Sequence, residues 1–272
     1  MNFLKKLFAS SEQKSAMPEY SSAEVKRYYE EWTERYIESF GEVFQGRSAL
    51  NLDELMDYYI KSAGFKPGMK LVDAGCGICG PAIMLAKKLD VQIDAVTISD
   101  EQVKIAREKV KAAGLEDRIK VYQGDFHTMD QLLPNNHYDA VYFLEAFVHS
   151  PDTDKAVQAA VNVLKPFGFV YIKDMFHGTA RSEEERQLIE QVVKNSCDAY
   201  RLNVKKLYEV VRSFEKTAVL FNFIKQLDIE AEWETGNNFV RRNDLPIYKG
   251  TDKTFYDLKY LDFYEIKATK LA

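Results

Sequence analysis

Asp73-Ala74-Gly75-Cys76-Gly77-Ile78-Cys79-Gly80 places a carboxylate beside a glycine-rich bend. Glycines here let the backbone approach a bound molecule closely and start a helix without a Cβ clash. The G-x-G-x-x-G spacing of Gly75, Gly77 and Gly80 also fits a dinucleotide pyrophosphate. The acid argues against that ligand, because Asp73 repels a phosphate and attracts a sulfonium carrying an α-ammonium group. Asp94 stands about where a nicotinamide enzyme keeps its ribose-binding acid, yet it falls inside the predicted second strand, whose tip is Thr97. A cationic cofactor therefore fits better than NAD. Cys76 and Cys79 form a C-x-x-C, which elsewhere means redox chemistry or half a zinc site. Only Cys197 remains to complete a cluster, so no metal is expected and the pair reads as incidental.

A strand must precede this bend and a helix must follow it. From Lys70 the chain alternates short β-branched runs with helical ones: KLVDAG, PAIMLAKKL, VQIDAVTI, DEQVKIAREKVKAAG, RIKVYQG, HYDAVYFLE, TDKAVQAAVNVL and FGFVYIKDM. That alternation predicts a parallel sheet covered on both faces, a doubly wound α/β fold. The segment from about Ser182 to Leu227 reads as largely helical, an insertion over roughly 180–227 ahead of two last strands, IEAEWE and DLKYLDFYEIKATK. Upstream, Ser21-Ser22-Ala23-Glu24 is a capping box opening a helix to about Phe40. A second helix runs from near Leu50 to Ala63 and ends at Gly64. Tyr28, Tyr29, Trp32, Tyr36 and Phe40 share one broad face of the first helix, which must cover something apolar. The expected organisation is a flexible tail over 1–20, a helical cap over 21–64, and an α/β domain over 65–272.

With 272 residues, 46% of them hydrophobic, the chain can bury a substantial core. A net charge of -5 offers no basic surface for a phosphate backbone, so nucleic acid is not an expected partner. There is no apolar run long enough for a signal segment or a stable membrane insertion. Three cysteines make no disulfide framework, and a cytoplasmic location is expected. A homodimer stays open.

Five stretches resemble the class I family of methyltransferases that use S-adenosylmethionine (SAM), over roughly Leu50 to Asp174. The bend from Asp73 is similar to the family's first motif, which implies that Asp73, Gly75 and Gly77 contact the methionine half of SAM. Thr97-Ile98-Ser99-Asp100-Glu101-Gln102 departs from the common acidic ribose ligand. It resembles the T-x-S-x-x-Q version of cyclopropane fatty acid synthases and sterol C-methyltransferases, implying that Thr97 and Gln102 hold the ribose or methionine end. Gly124-Asp125-Phe126 resembles the adenine-binding acid and its stacking neighbour; the alternative for Asp125 is a helix N-cap. Leu164-Lys165-Pro166-Phe167-Gly168 resembles the L-K-P-G-G turn, with Phe167 a departure. Glu145-Ala146-Phe147-Val148-His149-Ser150-Pro151-Asp152 is similar to the E-A-x-x-H-x-P-D run of sterol C-methyltransferases. With Tyr28, Tyr29 and Phe40-Gly41, it points to the sterol, tocopherol and prenyl-diphosphate branch. The family implies a Rossmann-like, seven-stranded, mostly parallel sheet.

The expected reaction is transfer of the SAM methyl group to a lipophilic small-molecule acceptor, with C-methylation of an isoprenoid ahead of N- or O-methylation and of a silent SAM-binding module. Methyl transfer needs alignment rather than a covalent residue. A carbocation left on an alkene also needs aromatic faces, a carboxylate and a base. Tyr28, Glu145 and His149 are the candidates, Glu145 also lying against the cofactor. The plainer readings are a hydrophobic lid for the tyrosines, an ordinary strand-end acid for Glu145 and a satisfied helix-start histidine for His149. His127 reads as lining the cofactor or capping its helix, and His137 and His177 as surface residues. Lys26, Arg27, Arg35, Arg241 and Arg242 could hold a diphosphate, or simply be solvated charge.

Overall fold

The computed structural model describes residues 19–43, 51–227, 250 and 260–272. Helix α1 (Ser22–Phe40) opens on the capping box read from the sequence. The Ser21 N–H donates to Glu24 Oε2 at 2.9 Å, and Ser21 Oγ accepts from the Glu24 N–H at 3.4 Å, satisfying N–H groups that a helix start leaves orphaned. Helix α2 (Leu52–Ala63) begins at Asn51, whose side chain accepts from the Asp53 N–H. It ends at Gly64, left-handed at φ 77°, where glycine carries no Cβ penalty.

Among the described residues, seven strands form one sheet: β1 (Lys70–Ala74), β2 (Gln92–Thr97), β3 (Ile119–Gln123), β4 (Tyr138–Leu144), β5 (Leu164–His177), β6 (Val219–Gln226) and β7 (Leu261–Lys270). Their spatial order is β3-β2-β1-β4-β5-β7-β6. The first five are parallel, and β7 runs antiparallel between β5 and β6. The helices that follow are α3 (Gly80–Lys88), α4 (Asp100–Ala112), the short α5 (Met129–Leu132), α6 (Thr153–Val163), α7 (Glu183–Tyr200) and α8 (Leu207–Glu215). This is the doubly wound, Rossmann-like α/β architecture expected.

Alternation along each strand sorts the core into two layers. Leu71, Tyr142 and Tyr171 pack under α2, α3 and α4, while Val72, Phe143 and Ile172 pack under α6 and α8. Burial on both faces is why these strands read as continuous apolar runs. A smaller cluster joins α7 to the ends of β5 and β7 through Met175, Ile189, Val193 and Phe263. From β1 the chain winds outward through β2 and β3, then returns to β4 on the other side of β1. Loops diverge at that reversal, and a crevice opens at the carboxyl ends of β1 and β4.

The helical reading of the segment ending at Leu227 is corrected in its last part: Val219–Gln226 is the edge strand β6, paired antiparallel with β7. Val219, Phe221 and Phe223 are half-buried while Leu220 and Asn222 are exposed, so the period is two. Apolar residues on both sets of positions hid that period in VLFNFIKQ. The IEAEWE segment lies outside the described residues, as do most of the expected tail and Arg241 and Arg242. Glu19 and Tyr20, the last two residues of that tail, are described. Phe167, the departure from the family's turn, is 70% exposed and left-handed at φ 65°.

Candidate active site

The crevice holds about 840 Å³ of space, solvent at its mouth included, between the tips of β1 to β4 and helix α1. Its floor is the bend after β1. Gly75 sits at φ 89°, and a Cβ there would run into Ala146 Cβ. Gly80 meets the Glu42 backbone in the same way, so the bend is clasped from both sides.

Asp73 lines this floor with 3% of its surface exposed. Its Oδ2 has no hydrogen-bond partner among the described residues, and neither does the Tyr142 hydroxyl beside it. Burial raises the Asp73 pKa to about 7, and the Tyr142 hydroxyl leans against that shift without closing a full hydrogen bond. A buried carboxylate with an unmatched oxygen is costly unless a donor or a cation meets it. That orphaned oxygen fits the ammonium of the SAM implied by the sequence.

At the tip of β2, Thr97 Oγ1 donates to Gln102 Oε1 at 2.6 Å, and both side chains are buried against the cavity. Asp94, the residue an NAD enzyme would use, is instead held within the sheet by the Tyr138 hydroxyl at 2.5 Å. At the tip of β3, Asp125 does cap its turn, accepting from the His127 N–H at 3.0 Å and from the His127 ring. Burial pushes its pKa up, but His127 and the Ser22 hydroxyl outweigh that and hold it at about 2. The cap role and the cavity-lining role therefore coexist, with Phe126 beside it. His127 lines the cavity and does not stand alone: its Nε2 meets Ser150 Oγ at 2.7 Å.

Beyond β4, Glu145 adopts φ 53°, a conformation that costs a non-glycine residue roughly 1–3 kcal/mol and concentrates at functional sites. Its carboxylate forms an ion pair with Lys173, which is fully buried on β5. Next to it, Asp174 is driven up to about pKa 7 by burial and by repulsion from Glu145. His149 Nδ1 lies 3.1 Å from the Arg201 carbonyl, which can only accept, so Nδ1 carries a proton. Burial lowers the His149 pKa to about 4, so at neutral pH the ring is uncharged and its Nε2 is an acceptor. The Tyr29 hydroxyl donates to that Nε2 at 2.8 Å.

Of the residues singled out in the sequence, the structure gathers Asp73, Gly75, Gly77, Thr97, Gln102, Asp125, Phe126, Glu145 and His149 around one cavity. Tyr28 is corrected. It points away, stacked on Trp32 and bonded to the Tyr36 hydroxyl at 3.0 Å, and its neighbour Tyr29 faces the cavity. One helical residue turns the side chain by about 100°, and an all-aromatic face hides which way. Lys26 is taken by Asp100 at 2.7 Å and Arg35 lies 5.0 Å from the Trp32 ring centroid, so neither lines the cavity. Cys76 and Cys79 are free buried thiols, and burial holds Cys76 well above its ordinary pKa. Lys173 was not anticipated; nothing in FGFVYIKDM marks a lysine that points into the core.

A family profile described as a methyltransferase domain matches residues 65–236. A sterol 24-C-methyltransferase of Gibberella zeae is 40% identical over 111 residues, 41% of this chain and 29% of that relative. The matched part of the chain thus spans less than a third of that relative's length. Among solved structures, the [4+2]-cyclase SpnF superposes with a TM-score of 0.72 at 18% identity, over 95% of this chain and 100% of that one. Geranyl diphosphate C-methyltransferase from Streptomyces coelicolor, solved with Mg²⁺, geranyl diphosphate and S-adenosyl-L-homocysteine, superposes at 0.62 with 16% identity, over 81% of this chain and 79% of that one. The profile covers most of the chain, including the bend after β1 and the tips of β1 to β4 that form the crevice: this chain belongs to the methyltransferase-domain family.

Proposed function

We propose that the chain is a SAM-dependent methyltransferase acting on a carbon of a lipophilic, isoprenoid-type small molecule in the cytoplasm. SAM supplies an electrophilic methyl carbon. Asp73 holds its ammonium, Thr97 and Gln102 its ribose or methionine end, and Asp125 with Phe126 its adenine. Catalysis then rests on alignment, for which a preorganised cleft is worth several kcal/mol.

The Tyr29–His149 pair carries the choice of a carbon acceptor. The Tyr29 proton is committed to His149, which leaves its oxygen as an acceptor, and both side chains line the cavity. A proton lost from a methylated carbocation can pass to that oxygen while the Tyr29 proton moves to His149 Nε2. A base as weak as His149, near pKa 4, suffices for so acidic a C–H but matches poorly to a phenol. Glu145 adds a carboxylate, and Tyr29 a ring face, for the transient positive charge. The similarity to a sterol 24-C-methyltransferase supports the same reading.

A second reading, methylation of an amine, is favoured by the acidic lining of Glu42, Asp73, Asp125 and Glu145. Turnover of SAM to S-adenosylhomocysteine (SAH) with prenyl diphosphates, sterols, phenols and amines separates them. Carbon-methylated isoprenoid is expected; product confined to phenols or amines would overturn the carbon assignment.

A further inference from the structure

The acceptor-side groups are supported from behind by one amide. Asn203 is 3% exposed and lies just past the end of α7. Its Oδ1 accepts from the Tyr20 N–H at 2.7 Å, and its Nδ2 donates to the Tyr20 carbonyl at 2.8 Å and to the His149 carbonyl at 3.0 Å. Its backbone N–H donates to the Val148 carbonyl at 2.7 Å. One side chain therefore pairs with Tyr20 as a neighbouring strand would, and spends its second N–H on the turn that carries His149.

Tyr20 immediately precedes Ser21, the N-cap of α1. Fixing Tyr20 fixes where α1 begins, and Tyr29 follows nine residues later, roughly 13 Å along the helix axis. The same post-α7 segment supplies the Arg201 carbonyl that sets the His149 tautomer. Arg201 is left-handed at φ 56°, and its guanidinium lies 4.9 Å from the Tyr20 ring centroid. The Tyr20 hydroxyl donates to Asp198 Oδ1 at 2.6 Å. Thus the partner of each His149 ring nitrogen, Tyr29 on one side and Arg201 on the other, is placed by elements that meet at Asn203.

We propose that Asn203 is a positioning residue: it straps the start of α1 to the His149 turn, so that the Tyr29–His149 pair forms only when the cap helix is seated. Only an amide serves. Aspartate would keep the acceptor for the Tyr20 N–H but set its other carboxylate oxygen against the carbonyls of Tyr20 and His149, and an apolar side chain would leave the backbone groups of Tyr20 and His149 buried without partners.

The groups around the Tyr29–His149 pair are the Arg201 backbone carbonyl on His149, and Tyr36 on α1, Asp174 on β5 and Glu145 on the loop after β4, whose charges act on Tyr29; Asp174 also accepts from the Val148 N–H at 3.0 Å. Unseating α1 removes the Tyr29 hydroxyl and admits water, and the His149 pKa then climbs from about 4 toward the ordinary value near 6.5.

The test uses the full chain and compares wild type with Asn203→Asp and Asn203→Ala. His149 is titrated by NMR with labelled histidine, and protease cleavage within 19–43 is timed with SAH bound. Both variants are expected to raise the His149 pKa by about one unit or more and to speed cap cleavage about tenfold or more. SAH affinity should stay within about threefold, and kcat should fall at least about tenfold with little change in the KM for SAM. Unchanged titration and cleavage in both variants would overturn the proposal.

The kcat measurement alone rests on the methyltransferase reading. Failure of that reading shows as no turnover by wild type, while the titration and cleavage results still decide the strap. If neither variant folds, hydrogen exchange of wild type decides: the Tyr20 and Asn203 amides are expected to open together, and independent opening would overturn the proposal.

Discussion

On the side of the crevice proposed to hold the cofactor, Asp73, Thr97 and Asp125 each stand at or just beyond the tip of a parallel strand, and each lies beside a residue close by in sequence, Gly75, Gln102 or His127. On the side proposed to hold the acceptor, Tyr29, Glu145, His149 and Asn203 come from α1, the loop after β4 and the turn after α7, and Tyr20 meets Asn203 across 183 positions of chain. The first side is a set of local turns that the sheet aligns. The second exists only after distant segments have docked. Substitutions on the cofactor side should therefore move ligand affinity, and those on the acceptor side should move turnover and cap stability.

The largest effect is expected at the boundary between the two. Lys173→Met leaves Glu145 buried without its cation and should cost about 3–5 kcal/mol in denaturant unfolding, most of it recovered in the Lys173→Met/Glu145→Gln double variant. Next, Gly75→Ala drives a Cβ into Ala146 at a φ that alanine rarely adopts. SAH affinity should fall by about 100-fold or more in calorimetry, roughly 2.7 kcal/mol. A smaller effect separates two adjacent tyrosines. Tyr29→Phe should lower kcat about tenfold with SAH affinity nearly unchanged, whereas Tyr28→Phe, which loses the bond to the Tyr36 hydroxyl, should leave kcat within about twofold. Equal losses at both positions would erase the distinction between cavity face and packing face. Smallest is Phe167→Gly, which relieves a left-handed exposed residue and should change stability by less than about 1 kcal/mol and activity not at all.

The same contrast governs what could be read from the sequence. Asp73, Thr97, Gln102, Asp125 and Phe126 were legible because each sits in a short motif whose neighbours explain its geometry. Tyr29 was not separable from Tyr28, since both belong to one aromatic face and only the docking of α1 decides which points inward. Lys173 and Asn203 carry no local signal at all; their roles arise from pairing with Glu145 and Tyr20, far away in the chain. β6 was missed because an edge strand buries only part of one face, so its apolar pattern does not separate cleanly into period two.

Ionisation of Asp73 links these points to pH. Its pKa is about 7 in the fold against an ordinary 3.8, so between those values the folded chain holds a proton that the unfolded chain has lost. Asp174 behaves alike, and ligand-free stability should therefore fall as pH rises from about 4 through 7. A bound cation reverses the preference of Asp73. The most direct measurement is calorimetry of SAM binding from pH 6 to 8.5 in buffers of different ionisation heat, on wild type and Asp73→Asn. Wild type is expected to bind more tightly as pH rises toward and past 7, releasing up to one proton at the acid end, while Asp73→Asn binds about 10–100-fold more weakly and loses that proton release. Wild-type affinity and proton release that match those of Asp73→Asn at every pH would contradict a carboxylate waiting for a cationic methyl donor.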